Sequence, residues 1–261
     1  MPICDATLLS QAPLTGGYLL LRLRAPAIAE AARPGQFVHL RIPSLEATAL
    51  RRPFSIYRAE ADTLSILYKR VGRGTDSLAA LPAGSVVSLM GPLGNGFPAG
   101  DTAHEPLLIG GGYGVAPLVF LASRLPRQGV VLLGGRRAED VLCIRDFEAL
   151  GWPVEVATED GSRGTRGYVT ALLDRHLGGA TAAPELFACG PDGMLRAVGT
   201  RAIATGCRAW LSLDHHMVCG IGACLACVQK LRMPEGGTRL ARVCRDGPVF
   251  EAREVVWEDP A

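Results

Sequence analysis

Four cysteines near the carboxy-terminal end have types and spacing that can do chemistry. Cys219, Cys224 and Cys227 form a C-x4-C-x2-C run within Cys219-Gly220-Ile221-Gly222-Ala223-Cys224-Leu225-Ala226-Cys227, and Cys244 follows after sixteen further residues. Four thiolates gathered from one tight loop and one later segment can hold a [2Fe–2S] cluster, and this is the plant-type spacing. Gly220 and Gly222 let the loop curl and can offer backbone N–H groups to the sulfurs, which raises a cluster's potential. The rival is a structural zinc site, but four-cysteine zinc sites usually pair two short knuckles, and here three cysteines share one. His215-His216 precede the run; four thiolates complete a site without them, so neither is taken as a ligand. A one-electron centre needs something to exchange electrons with, and the upstream residues must supply it.

Two upstream stretches suit a phosphorylated cofactor. In Arg51-Arg52-Pro53-Phe54-Ser55-Ile56 the arginines offer donor forks suited to a diphosphate, and Ser55 can hydrogen-bond a ring edge. In Lys69-Arg70-Val71-Gly72-Arg73-Gly74-Thr75 the glycines let backbone N–H groups approach an anion, and Thr75 is expected to begin a helix over Asp76 to Leu81. Each stretch alone reads equally as a strand end or glycine turn with solvated arginines. Further on, Gly110-Gly111-Gly112-Tyr113-Gly114-Val115-Ala116-Pro117 follows the apolar run Pro106 to Ile109, an imperfect G-x-G-x-x-G with Val115 in the third glycine's place. Thr158-Glu159-Asp160-Gly161 and Cys189-Gly190-Pro191 end two later apolar runs. Arg136-Arg137 could accept a 2′-phosphate or stand as a solvated loop.

The elements that must position these residues come in two styles. Residues 1–100 read as short strands: Tyr18 to Arg24, Val38 to Ile42, Pro53 to Arg58, Thr63 to Arg70 and Ser85 to Met90, punctuated by Gly, Pro and Asp, with a helical turn over Ala27 to Ala32. Val38, Leu40 and Ile42 alternate with His39 and Arg41, the period of a half-buried strand. About six such strands suggest a small antiparallel barrel. Strands at 129–133, 153–157 and 185–188 then alternate with helices at 138–150, 169–176 and 192–204, and a helix through Arg124 follows the glycine turn. Such alternation implies a parallel sheet with ligands at the carboxyl ends of its strands.

Composition bounds the function classes. The chain has 261 residues, 48% hydrophobic and 20% charged, with a net charge of +2. That length allows two ordinary domains, and the charge gives no argument for nucleic acid or an anionic membrane surface. No stretch is long enough to span a bilayer. The start Met1-Pro2-Ile3-Cys4-Asp5 lacks the features of a secretory signal. Four of eight cysteines crowd into one segment, which fits metal ligation in a reducing cytoplasm better than a disulfide framework. Cys4, Cys143 and Cys207 read as small core residues.

Taken together, Arg52-Pro53-Phe54-Ser55, the Gly110–Pro117 turn and Cys189-Gly190-Pro191 resemble the ferredoxin–NADP reductase superfamily. The cysteine segment ending in Asp246-Gly247-Pro248-Val249-Phe250 narrows the resemblance to electron-transfer subunits of type B (NAD-dependent) dihydroorotate dehydrogenases, over essentially the whole chain. The resemblance implies an antiparallel six-stranded FAD-binding barrel over residues 1–101, a parallel α/β NAD-binding domain over 102–210 and a small [2Fe–2S] cysteine-rich subdomain over 211–261. It implies FAD contacts at Arg52, Pro53, Phe54, Ser55, Lys69, Arg70, Val71, Gly74 and Thr75. The nicotinamide site falls at Gly110, Gly111, Gly112, Gly114, Cys189, Gly190 and Pro191, with no catalytic side chain because hydride transfer needs no protein nucleophile. The cluster would sit on Cys219, Cys224, Cys227 and Cys244.

The implied partner is an FMN-binding TIM-barrel catalytic subunit, in a heterotetramer of two plus two. Electrons from dihydroorotate would pass through the cluster and FAD to NAD(+), in de novo pyrimidine biosynthesis in the cytoplasm. Leu213 to Lys230 is the expected docking face. Related reductase chains of sulfhydrogenases and of NADH-dependent ferredoxin–NADP oxidoreductases are the alternative.

Overall fold

The computed structural model describes residues 2–43, 50–180 and 182–257. Its first part is β1 (Ile3–Pro13), β2 (Tyr18–Arg24), α1 (Pro26–Ala31), β3 (Phe37–Arg41), β4 (Arg52–Glu60), β5 (Thr63–Lys69), α2 (Arg73–Ala79) and β6 (Val86–Leu93). The strands close into an antiparallel barrel in the order β1-β2-β5-β4-β3-β6. Closure follows from period-two alternation: Leu21, Leu23, Val38, Leu40, Ile56, Leu64, Ile66, Val87 and Leu89 all point inward and are buried. β1 carries no clean alternation, because a register shift between Leu8 and Ser10 breaks its period. The helix expected over 76–81 starts earlier, at Arg73. The Thr75 hydroxyl accepts the N–H groups of Val71 (2.8 Å) and Gly72 (3.2 Å), which folds the glycine turn into the helix start.

The second part alternates as expected: β7 (Pro106–Gly111), a 3-10 turn (Gly112–Val115), α3 (Ala116–Ala122), β8 (Val130–Gly135), α4 (Ile144–Ala149), β9 (Val154–Thr158), β10 (Thr165–Arg166), α5 (Val169–Gly179), β11 (Glu185–Cys189), α6 (Asp192–Thr205) and β12 (Arg208–Ser212). The helix expected over 138–150 is a 3-10 turn at Ala138–Asp140 and then α4, with Cys143 at φ +62° between them. The last part is β13 (Val228–Arg232), β14 (Thr238–Arg242), α7 (Val243–Asp246) and β15 (Val249–Glu251).

The sheet order is β10-β9-β8-β7-β11-β12-β15. Its first six strands are parallel; β15 joins β12 antiparallel, with Leu211 opposite Phe250. The cysteine segment therefore supplies an edge strand to the α/β sheet. It is also tied to the barrel: the Asn95 N–H donates to the Gly247 carbonyl at 2.6 Å, and Asn95 Nδ2 donates to the carbonyls of Arg245 (3.2 Å) and Asp246 (3.1 Å). Phe120 of α3 is buried in the barrel's own core cluster, and Arg58 of β4 pairs with Asp146 of α4 at 2.9 Å. Among the described residues no helix is long and apolar enough to cross a membrane.

Candidate cofactor and cluster site

The barrel motif lies on β4, paired with β3 so that Arg52 faces Leu40, Pro53 faces His39, Phe54 faces Val38 and Ser55 faces Phe37. All four motif residues are half-buried. The two arginines part company. Arg51 uses its fork on the barrel wall, donating to the Ser88 carbonyl (2.8 Å), the Ser88 hydroxyl (2.9 Å) and the His39 carbonyl (3.4 Å). Arg52 donates to the Leu50 carbonyl at 2.9 Å and leans on the glycine turn, where a Cβ at Gly74 would stand 3.2 Å from its Nε. The two basic stretches thus meet.

At the end of β5, Lys69 Nζ sits 4.7 Å over the Tyr18 ring and 3.7 Å from Asp140 of the α/β part. Arg70 Nε pairs with Asp76 at 2.8 Å, and Val71 is exposed. Thr75 also donates to the Gly72 carbonyl at 2.9 Å, so its hydroxyl is engaged within the turn. The donor set of Arg52, Lys69 and Ser55 suits a diphosphate and a polar ring edge, and so fits FAD.

The parallel register sets Gly110 beside Cys189, Gly111 beside Gly134 and Gly135 beside Thr158, so four carboxyl ends share one level. Strand order reverses between β7 and β11, the switch point where such sheets bind nucleotides. The glycine turn and the Cys189 loop flank it in contact. A Cβ at Gly114 would lie 2.7 Å from the Cys189 carbonyl and from Gly190 Cα; one at Gly111 would lie 3.1 Å from Pro191 Cδ. Gly112 takes φ +56°, which glycine alone adopts freely. Only glycines bring these two loops so close, which leaves the switch point open to a nicotinamide dinucleotide.

The Cys189 thiol is buried, and burial pushes its pKa up to about 12 against the pull of a hydrogen bond with Ser212. It forms a neutral wall beside the glycine turn. The Thr158–Gly161 loop closes on itself, with Thr158 Oγ1 donating to the Arg163 carbonyl at 2.9 Å. Arg136 and Arg137 are exposed, and Arg137 pairs with Glu139 at 3.5 Å.

The four cysteines are arranged as two thiol pairs. The side chain of Cys219 neighbours that of Cys224, and the side chain of Cys227 neighbours that of Cys244. The first pair is toward solvent, with Cys224 exposed; the second is buried. Among the described residues no group of three or more His, Cys, Asp or Glu is gathered closely enough to hold a single metal ion. A [2Fe–2S] cluster takes two thiolates on each iron, and a two-by-two arrangement fits that need.

The loop also aims N–H groups at sulfur: Ala223 (3.3 Å) and Cys224 (3.4 Å) donate to Cys219 Sγ, and Cys244 (3.4 Å) donates to Cys227 Sγ. Burial raises the Cys219 thiol, but these donors with Ile221 outweigh it and bring it down to about 6. Burial and the neighbouring Cys227 raise Cys244.

Further residues at this site escaped the sequence reading. Arg242 braces the loop, donating to the Gly222 carbonyl at 3.4 Å while Asp246 holds its Nε (3.0 Å) and Nη2 (3.1 Å). The sequence signal was the Arg-x3-Asp spacing across Cys244. The Tyr113 hydroxyl donates to Asp214 at 3.2 Å, joining the glycine turn to the segment before the cysteines. His215 and His216 stand beside Asp214 in that segment. His39 alternates with the core residues Val38 and Leu40 and so lies on the outer face of β3, yet it is fully buried, because the loop at Gly220 covers it.

Comparison with known proteins agrees with this geometry. Residues 214–256 match the family described as the iron-sulfur cluster binding domain of dihydroorotate dehydrogenase B, and residues 108–200 match the oxidoreductase NAD-binding domain. A relative from Geobacillus sp. (strain WCH70), named dihydroorotate dehydrogenase B (NAD(+)), electron transfer subunit, is 40% identical over 96% of this chain and 97% of its own. A protein of the same name from Enterococcus faecalis is 37% identical over 96% and 97%. Among solved structures, an NADH-dependent reduced ferredoxin–NADP oxidoreductase superposes with a TM-score of 0.85 at 26% identity, over 97% of this chain and 90% of that one. A Neisseria gonorrhoeae ferredoxin NADP+ reductase shares the fold over 79% of this chain and 92% of its own, with a TM-score of 0.64 at 15% identity.

Proposed function

This chain belongs to the family of dihydroorotate dehydrogenase B electron transfer subunits, and on that premise we propose that it links a dihydroorotate-oxidising partner to NAD(+). When bound, the [2Fe–2S] cluster supplies one-electron transfer and FAD converts single electrons into the hydride that NAD(+) accepts. The protein's own part is to hold, orient and shield. Arg52 and Lys69 would anchor the FAD diphosphate, with Arg70, Val71, Gly74 and Thr75 shaping the adjoining turn. Pro53, Phe54 and Ser55 would line the ring. Gly110, Gly111, Gly112 and Gly114 would admit the nicotinamide against the wall of Cys189, Gly190 and Pro191. Cys219 with Cys224, and Cys227 with Cys244, would each hold one iron.

One juxtaposition carries this reading. The Gly220 backbone rests on His39, the residue paired with Pro53 of the barrel motif, while the Gly114 backbone rests on Cys189 across the switch point. Tyr113 of the glycine turn, hydrogen-bonded to Asp214 just before the cysteines, links these two contacts, which supports the layout an electron relay requires. Residues 1–101, 102–210 and 211–261 would serve as FAD, NAD and cluster regions. The relatives named for NAD(+) support NAD(+) over its 2′-phosphorylated form.

The partner would be an FMN-binding TIM-barrel dihydroorotate dehydrogenase subunit, in a heterotetramer of two plus two in the cytoplasm. Leu213 to Lys230 would be the docking face. Val218, Ile221 and Leu225 in the same loop are exposed, as is Cys224, so the loop offers apolar surface to a partner. Co-expression with such a subunit tests the proposal. A complex containing FMN, FAD and iron in the ratio 1:1:2 per pair of chains is expected. A colourless chain that ignores the TIM-barrel subunit contradicts it.

A further inference from the structure

We propose that His39 is a hydrogen-bond donor to the sulfurs of the [2Fe–2S] cluster, and thereby a positioning residue that raises the cluster's potential. The inference rests on the reading that Cys219, Cys224, Cys227 and Cys244 hold such a cluster. His39 lies on the outward face of β3 and is fully buried. Neither Nδ1 nor Nε2 has a hydrogen-bond partner among the described residues. Buried polar side-chain atoms are nearly always paired, so two orphaned nitrogens on one ring call for a partner from outside the polypeptide.

The geometry says where that partner lies. A Cβ at Gly220 would stand 2.6 Å from His39 Cε1, 2.7 Å from Nε2 and 2.8 Å from Nδ1. The nitrogen-bearing edge of the ring therefore abuts the cysteine loop one residue after Cys219. Gly220 has φ +70° and no side chain, and both are needed for this approach. The Phe37 ring meets the imidazole edge-on at 5.7 Å, and Arg51 is bonded to the His39 carbonyl, so the side chain is held from behind.

Burial, and then the Arg51 charge, bring the imidazole pKa down to about 4. The ring is neutral at physiological pH, with one N–H to give. A reduced cluster carries one more negative charge than an oxidised one, so an N–H···S bond is stronger in the reduced state and favours it.

The test is an EPR-monitored redox titration of the FAD- and cluster-loaded full chain, wild type against His39→Leu and His39→Gln. Reduction of the cluster in His39→Leu is expected to become about tenfold less favourable, which is ~59 mV more negative for one electron. The FAD potential should move less than the cluster's, and His39→Gln, which keeps an N–H donor, should recover part of the shift. Pulsed EPR of the reduced, 15N-histidine-labelled protein supplies a measurement that leaves His39 in place. A 15N coupling to the cluster should persist when His215 and His216 are both replaced by Asn.

Absence of that coupling, or an unchanged cluster potential in cluster-replete His39→Leu, overturns the inference. A shift of the FAD potential alone would also overturn it, assigning the imidazole to the flavin. Wild-type protein with no reduced [2Fe–2S] signal would instead remove the cluster reading, and this inference with it.

Discussion

At the residue scale, environment rather than type decides what each cysteine does. Cys219 receives backbone N–H groups and is brought down to about 6, whereas Cys189, at the end of β11, is pushed up to about 12 by burial. Only thiolates alkylate, so at pH 8 Cys189 should be about one part in ten thousand reactive. Timed iodoacetamide treatment with peptide mass spectrometry should find it unmodified in the folded protein and modified after denaturation. Rapid labelling in the folded state would contradict its assignment as a neutral wall. The folded pKa lies above the thiol's ordinary value of 9.0, so Cys189 favours the folded state below about pH 9. That contribution is lost as pH rises from about 9 toward 12.

At the element scale, the α/β part is not simply appended to the barrel. Phe120 of α3 is buried in the barrel core, and Arg124 Nη2 reaches the Ala59 carbonyl of β4 at 3.5 Å. Phe120→Ala should therefore cost about 3–5 kcal/mol in chemical denaturation. It should loosen both parts together, read as a single transition at lower denaturant. A barrel transition left in place would mean the helix is dispensable to it.

The elements themselves were largely legible. Tyr18 to Arg24 and the strand–helix alternation follow from period and punctuation, and the glycine turns announce the switch point. What local pattern could not carry is long-range pairing. β1 is masked by its bulge, and β15 depends on a partner strand far upstream in β12. The burial of His39 depends on a loop about 180 residues away. Arg51 and Arg52 are alike in sequence, yet only the barrel closure, which sets Ser88 beside Arg51, separates an arginine engaged within the barrel wall from the one proposed to hold the cofactor.

At the scale of the whole molecule, the chain presents its cysteine loop on the outside while tying it to both other parts through Asn95, Tyr113 and β15. Leu225, 60% exposed, adopts φ +60° beside Cys224. Asp tolerates that backbone conformation better than Leu, so Leu225→Asp should fold normally. It should weaken association with the FMN-binding subunit about tenfold, ~1.4 kcal/mol, in a titration by analytical ultracentrifugation. Undiminished association would remove this loop from the docking face.

The most direct measurement is anaerobic reduction of NAD(+) by dihydroorotate in the reconstituted two-subunit complex, wild type beside Cys224→Ser. The account predicts NADH formation by the wild-type complex. It predicts that Cys224→Ser abolishes this coupling while NADH oxidation by an artificial acceptor survives, because the barrel and the switch-point site do not use that thiol. A fully loaded wild-type complex that leaves NAD(+) unreduced, or a Cys224→Ser complex that still couples dihydroorotate to NAD(+), would contradict it.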